Sequence, residues 1–350
     1  MKIGKPFVSI IIPVYKVSNY IERCLRSVMQ QQGDIAMECI LVDDCSPDDS
    51  MDIIKRLLDG YDGPITFHTI CHKQNLGLSA ARNTGIKMAQ GDYLFFIDSD
   101  DYITDDCLQK LTDVVKNKPE VQVVKGNHFG SVGMIDVNSI PVEPINNDTL
   151  LKLLYMCVIP VMAWNTLIKR SMIEEMRLSF CQGLLYEDNM WTVQLFRHVD
   201  CFQFIPDKTY YHEVNPGSII EKQKECPSRS LPHRIKIVDE LLNSFDSRHF
   251  VSYTCYIIFH LIQMFDITDK EKHVAREDID GVVQLRNRLF RYSIRKGRLI
   301  LVFSEMLLFK PFRYLIRLRL LRCHYDGIYR VVYKMAMLFN GLHEIKKDLK

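Results

Sequence analysis

Three carboxylates leave one apolar run within four residues: Tyr93-Leu94-Phe95-Phe96-Ile97 is followed by Asp98-Ser99-Asp100-Asp101. Like charges this close raise one another's pKa unless a cation joins them. Hard divalent ions such as Mg²⁺ or Mn²⁺ take carboxylate and phosphate oxygens and usually keep some water ligands. An ion placed there could neutralise the charge that grows on a departing diphosphate. Asp-x-Asp alone is a weak signal, because acids at strand ends also cap helices and solvate loops.

Two other groups carry comparable chemistry. In Val42-Asp43-Asp44-Cys45-Ser46, an Asp could accept a hydrogen bond from a nucleobase N–H, or simply shape a turn. In Asn75-Leu76-Gly77-Leu78-Ser79-Ala80-Ala81-Arg82-Asn83-Thr84-Gly85, Gly77 permits a tight turn. Arg82 on the following helix could reach a base or a phosphate, or serve as a structural ion-pair partner.

The elements that must position these groups alternate. Val8–Val14 reads as a strand buried on both faces. Asn19 with Glu22 resembles a capping box before a helix bearing Ile21, Leu25 and Val28. Cys39–Val42 is a second strand, and Ser46-Pro47-Asp48-Asp49 reads as a helix start. Thr66–Ile70 is a third strand, Leu78–Met88 a helix, and Tyr93–Ile97 a fourth strand. Thr104 caps a further helix before a strand at Val121–Val124, and 126–147 reads as loops or a short hairpin. Repeated β-α-β units imply an α/β fold with a mostly parallel sheet flanked by helices. Ligands bind such sheets beyond the carboxyl ends of the strands, where both acidic groups fall.

The order of these motifs closely resembles family 2 glycosyltransferases. It runs Pro13-Val14-Tyr15, Asp43-Asp44-Cys45-Ser46-Pro47-Asp48, Asn75-x-Gly77-x-x-x-Ala81-Arg82-Asn83-x-Gly85 and Asp98-x-Asp100-Asp101. The resemblance is specific over about residues 6–125 and looser to about 220. It implies a GT-A fold whose nucleotide-sugar-binding half (1–125) merges into an acceptor-binding half (126–220), followed by a helical basic region (221–350). It implies a nucleotide-sugar donor, UDP-linked first, with Mn²⁺ or Mg²⁺ as cofactor. Pro13, Tyr15 and Asp44 would lie around the base and Arg82 near the nucleotide. Asp98 would lie near the ribose or beside the metal, and Asp100 would hold the metal. Asp101 would complete the shell or orient the donor sugar. Lys16 departs from the family, where Asn is common.

Glu187-Asp188, in Tyr186-Glu187-Asp188-Asn189-Met190-Trp191, resembles the family's Glu-Asp motif near the acceptor. An inverting transfer needs a carboxylate to take the acceptor hydroxyl's proton. Asp188 is the first choice for this base and Glu187 the second, although acids also favour a helix N-terminus. Trp164, in a segment resembling Trp-Asn-Lys-Leu, could stack on a sugar or fill the core. Thr166 stands where relatives often carry Lys. His212, before a Gly-Ser turn, could touch the diphosphate or the metal.

The acceptor implied is a growing surface glycan, free or lipid-linked. Two other readings stay open: an inactive transferase-like scaffold of a glycan-assembly complex, and a sugar-phosphate nucleotidyltransferase. The second is disfavoured by Pro13-Val14-Tyr15-Lys16, where those enzymes carry a Gly-rich loop.

With 350 residues, 47% hydrophobic and 25% charged, the chain has the composition of an ordinary globular protein. The net charge of +2 hides an uneven distribution. Between Arg286 and Lys334 basic residues mix with Leu, Ile, Phe and Tyr, opposed only by Glu305 and Asp326. That pattern suits a helix on an anionic membrane surface, a packed hairpin or an oligomer contact; nucleic acid is not expected. The 11 cysteines form no Cys-x-x-Cys pair. Without a signal-peptide core or a membrane-length apolar stretch, a cytoplasmic location is expected, peripheral on the inner membrane face if the basic helices bind there.

Overall fold

In the computed structural model every residue of β1 (Val8–Val14) and β2 (Met37–Asp43) is buried. Strands with no solvent face need apolar cover on both sides, which helices supply. The structure describes residues 5–130, 139–218, 221, 225–271 and 273–295. These fall into two compact units: 1–151 with 158–215, and 152–157 with 216–350.

The first unit is built on one mixed sheet. Its other strands are β3 (Thr66–Cys71), β4 (Tyr93–Phe96), β5 (Tyr102–Ile103), β6 (Val123–Phe129), β7 (Ile145–Asn146), β8 (Thr166–Lys169) and β9 (Cys201–Tyr211). They lie in the order β3-β2-β1-β4-β8-β6-β9-β5, with β7 also paired to β9. β3, β2, β1 and β4 run parallel, as do β6 and β9. β8, β5 and β7 run against them. The direction shared by the other six strands gives the sheet its mostly parallel character.

Around it pack α1 (Ile21–Met29), α2 (Ser50–Asp59), α3 (Leu78–Met88) and α4 (Cys107–Asn117), followed later by α5 (Asn147–Tyr155), α6 (Arg170–Glu175) and α7 (Glu187–Phe196). α3 needs Gly85, since a Cβ there would fall 2.4 Å from the Ile11 side chain of β1. Any larger residue would push the helix off the strand.

Several helix starts differ from the sequence expectation. α1 begins at Ile21 behind Tyr20 without a side-chain cap, and Glu22 instead pairs with Arg26. α2 begins four residues after Ser46, because Ser46 and Asp48 are taken by the neighbouring loop. α4 begins behind Asp106, not Thr104; its Leu108 N–H is capped from outside by Gln31 at 3.0 Å. β6 runs on through Gly126-Asn127-His128, which had read as loop. Asn127 satisfies its buried amide on Pro206 O at 3.1 Å, so polar residues persist inside the sheet.

In the second unit, α8 (Leu231–Asn243), α9 (Phe250–Lys270) and α10 (Arg276–Arg295) share an apolar core that includes Leu241, Tyr253, Ile257, Leu261, Val282 and Leu289. Tyr155 stacks edge-on against Tyr253 at 4.6 Å. No helix among the described residues is long and apolar enough to cross a membrane. Most of the basic segment 286–334 lies outside the described residues.

Candidate active site

β1, β2 and β4 end side by side, with Val14 opposite Asp43 and Ile11 opposite Phe96. The loops that follow them are therefore neighbours at the strands' carboxyl ends, the usual ligand edge. Pro13 is buried within β1, and Tyr15 is exposed just beyond it. Lys16 and Cys45 hold left-handed φ values of 55° and 59°. Each costs roughly 1 kcal/mol or more for a residue with a Cβ. The loops lock each other in place: Ser46 Oγ accepts from Lys16 N at 2.8 Å, and Asp48 accepts from Ser18 N at 2.9 Å. Burial raises the Asp48 pKa, but hydrogen bonds from Ser46, Ser50 and Ser18 outweigh it and hold the carboxyl below the usual range.

Asp44 is buried and already engaged. It accepts from Leu76 N at 2.8 Å, from Gly77 N at 2.7 Å, and meets His72 Nδ1 at 2.7 Å. That uses about three of the four acceptor positions of a carboxylate. His72 Nε2 reaches Thr84 Oγ1 at 2.9 Å, so the chain of contacts ends on α3. Gly77, at φ 89°, lets its N–H turn toward Asp44.

The centre of the site is Arg82, also on α3 and only 1% exposed. One nitrogen donates to Glu187 and to Asp188, each at 2.8 Å, and another donates to Asp98 at 2.7 Å. The face of Phe180 lies 5.1 Å from the guanidinium. Burial alone would lower the Arg82 pKa; Asp188, Asp98 and Glu187 together hold it above its ordinary value. Residues from the end of β4 and the start of α7, about 90 positions apart, thus meet on one cation. Tyr186, which precedes the pair, adopts a left-handed φ of 60° that turns the chain into α7. Burial pushes Glu187 up to about 7, with Asp188 adding to the effect; burial also raises Asp188, with Arg82 opposing.

A second acidic group adjoins this one. Tyr210 donates its hydroxyl to Asp101 at 2.6 Å and accepts from Asp98 N at 3.1 Å. Glu213 N donates to Asp101 at 2.9 Å, and Asn215 donates to Asp100 at 2.9 Å. Burial, then Asp98 and Asp100, lifts Asp101 to about 8; burial and Asp98 raise Asp100 too. Among the described residues no three His, Cys, Asp or Glu side chains form a preassembled metal cage. The donor chemistry still fits a hard cation: Asp98 adds to the raised pKa values of Asp100 and Asp101, and a divalent ion shared with diphosphate oxygens would relieve that crowding. Asp100 and Asp98 would hold it. His212 is stacked on Trp164 at 5.9 Å and near enough to lower the Asp100 pKa.

Of the residues singled out from the sequence, Arg82, Asp98, Glu187 and Asp188 are joined directly. Asp100, Asp101 and His212 stand beside them, and Asp44 is linked through α3. Pro13 and Tyr15 line the neighbouring loop. Sequence reasoning missed Tyr210 as a donor to Asp101, and it missed Lys125. Lys125 is 1% exposed and donates to Met162 O at 2.7 Å, Thr166 Oγ1 at 2.9 Å and Trp164 O at 3.3 Å. A lysine following the apolar Val123-Val124 was the available signal, since Lys is almost never fully buried without partners. Trp164 is core-like: 3% exposed and stacked on Tyr210 at 4.4 Å, it has no open face for a sugar.

Residues 9–177 match the family model described as Glycosyl transferase family 2. Over 226 residues the chain is 30% identical to "Uncharacterized glycosyltransferase EpsJ" of Bacillus subtilis, covering 62% of this chain and 63% of that protein. Over 210 residues it is 28% identical to the poly(ribitol-phosphate) beta-glucosyltransferase of Bacillus spizizenii, covering 59% and 32% respectively. The chain thus spans less than two thirds of the length of these relatives. The crystal structure of S. aureus TarS 1–349 in complex with UDP-GlcNAc shares the fold, with a TM-score of 0.65 at 20% identity over 93% of this chain and 90% of that one.

Proposed function

We propose, from the match of residues 9–177 to the glycosyl transferase family 2 model, that the protein transfers a sugar from a UDP-sugar to a hydroxyl of a surface glycan. The observation that carries the reading is the meeting of Asp98, Glu187 and Asp188 on buried Arg82. It brings Asp98, read here as the carboxylate on the donor side, next to the candidate base Asp188. The names of the relatives support the chemistry: one is called a glucosyltransferase acting on poly(ribitol-phosphate), and the structural neighbour was solved with UDP-GlcNAc.

In this reading Asp188 is the base, oriented by Arg82 on one oxygen and by Ala163 N, at 3.3 Å, on the other. Its raised pKa makes it a stronger proton acceptor than an ordinary Asp. The acceptor O–H bond breaks and its proton passes to Asp188. The oxygen bonds to the anomeric carbon from the face opposite the departing group, inverting the centre. The bond from that carbon to the diphosphate oxygen breaks, and the electron pair leaves with the nucleotide. Mg²⁺ or Mn²⁺ bound at Asp100 and Asp98 would supply charge neutralisation for that leaving group. Tyr15, exposed in the loop after β1, would cover the nucleobase. Arg291 and Arg295 on α10 support an anionic membrane surface as a further partner, whereas Arg288 is engaged by Asp239.

The test is incubation with Mn²⁺ and a panel of nucleotide sugars and glycan acceptors, reading nucleotide release and glycoside product. UDP release coupled to glycoside formation is expected. Nucleotide binding with no turnover across the panel would favour the scaffold reading instead.

A further inference from the structure

Lys125 is a buried amine with no acid in hydrogen-bonding contact, and burial lowers its pKa to about 7, with Asp188 opposing. Its three N–H groups are matched to three acceptors, all on the segment 162–166 that passes Asp188. The pairing has a consequence through the planarity of the peptide group. Met162 C=O and Ala163 N–H belong to one peptide plane and point in opposite directions. Lys125 holds the first, and the second donates to Asp188 Oδ2 at 3.3 Å. Trp164 C=O and Asn165 N–H likewise share a plane: Lys125 takes the carbonyl, and the amide donates to Phe96 O of β4 at 3.3 Å. Phe96 lies two residues before Asp98. One side-chain nitrogen therefore sets two peptide planes, one aimed at the base and one at the strand that delivers Asp98. Asn165 is left-handed at φ 54° and fully buried, so the segment needs such a tie to keep its path. The same segment carries Trp164, stacked within 8° of parallel on Tyr210, the donor to Asp101.

We propose that Lys125 is a positioning residue for the transfer step: by holding the carbonyls of Met162 and Trp164 it aims the Ala163 N–H at Asp188 and seats Trp164 on Tyr210. The proposal rests on the reading of Asp188 as the base, and its test has an arm independent of that reading. Lys125→Met keeps the volume and removes all three donors. Thr166→Val removes one acceptor of Lys125, together with the hydroxyl's own donation to Trp164 O at 3.2 Å, and leaves the lysine in place.

In a Trp191→Phe background Trp164 is the single tryptophan of the chain, so its emission reports the segment directly. With Lys125→Met, a red shift and greater acrylamide quenching are expected, with a smaller change in the same direction for Thr166→Val. In the Trp191 protein, kcat per nucleotide-binding site should fall about 10²-fold for Lys125→Met, the scale of a misplaced catalytic group. Donor Kd should stay within about threefold. Should Lys125→Met fail to fold, Thr166→Val carries the same split at several-fold size. Unchanged Trp164 emission overturns the proposal whatever happens to the rate. A loss of donor affinity as large as the loss of kcat overturns it as well, because Lys125 would then serve binding. Should the unaltered protein transfer nothing, the reading of Asp188 falls, while the emission arm still decides whether Lys125 holds the segment.

Discussion

The loops after β1 and β2 and the cluster around Arg82 are both rich in carboxylates, yet they are built on opposite principles. Asp48 is surrounded by donors from Ser46, Ser50 and Ser18, and its pKa lies below the usual range. Burial first, and neighbouring acids second, push Glu187 up to about 7 and Asp101 up to about 8 against the donors each has. The first arrangement spends its acids on fixing two strained loops. The second holds its acids in a state that favours protons and cations, which is what a base and a diphosphate site require.

The contrast breaks most completely at its centre. Arg82→Met would leave Glu187, Asp188 and Asp98 buried without their shared cation, and a stability loss of about 3–5 kcal/mol is expected. Urea denaturation would measure it; a variant as stable as the parent would mean the three acids do not depend on Arg82.

Asp188→Asn keeps the shape and removes the proton acceptor. Transfer should fall by about 10²–10⁴-fold with nucleotide affinity nearly unchanged. Single-turnover kinetics against nucleotide titration separates the two, and a variant with normal turnover would move the base elsewhere.

The pH profile sharpens the comparison. With Asp188 raised by burial, transfer should decline about tenfold per unit on the acid side of a limb lying above the ordinary carboxyl range, and level off at higher pH. Glu187→Gln removes the like charge and should move the acid limb about one unit lower. A limb left in place would detach Glu187 from the titration.

The two regions should also respond to pH with opposite sign in stability. Glu187 is raised when folded, so the native state binds more protons than the unfolded one. Its contribution is full below about pH 4.5 and is lost as pH rises through about 7. Asp48 is lowered when folded, so its contribution is present above the unfolded carboxyl pKa and is lost as pH falls. Asp48→Asn should lower stability at pH 7 by about 1–2 kcal/mol and by less at pH 3, which flattens the fall on the acid side. Chemical denaturation at pH 3 and pH 7 reads this smallest of the four effects.

The first half of the sheet was legible because burial there is written in residue type. Val8–Val14, Met37–Asp43 and Tyr93–Phe96 are almost wholly apolar, and acids mark where two of them end. Helix starts were misread wherever a polar side chain had a choice. Ser46 looks like a cap, but its hydroxyl is used across loops by Lys16 N; Thr104 looks like one too, but its hydroxyl donates to Asp106 two residues on. The second half hides its strands behind Gly126, Asn127, His128 and Thr209, which stay buried because partners elsewhere satisfy them.

From its own order of residues, then, the chain determined a βαβ sheet, the acids at its ligand edge and the Glu187-Asp188 pair. Local hydrophobicity and turn chemistry act over a few residues, and those features lie within that range. Only tertiary structure decided that Arg82 joins Asp98 to Asp188, that Asp44 is occupied by the 72–77 loop, and that Lys125 reaches the 162–166 segment. Each of these depends on the direction of a side chain or a peptide plane across tens of residues, and spacing along the sequence carries no record of direction.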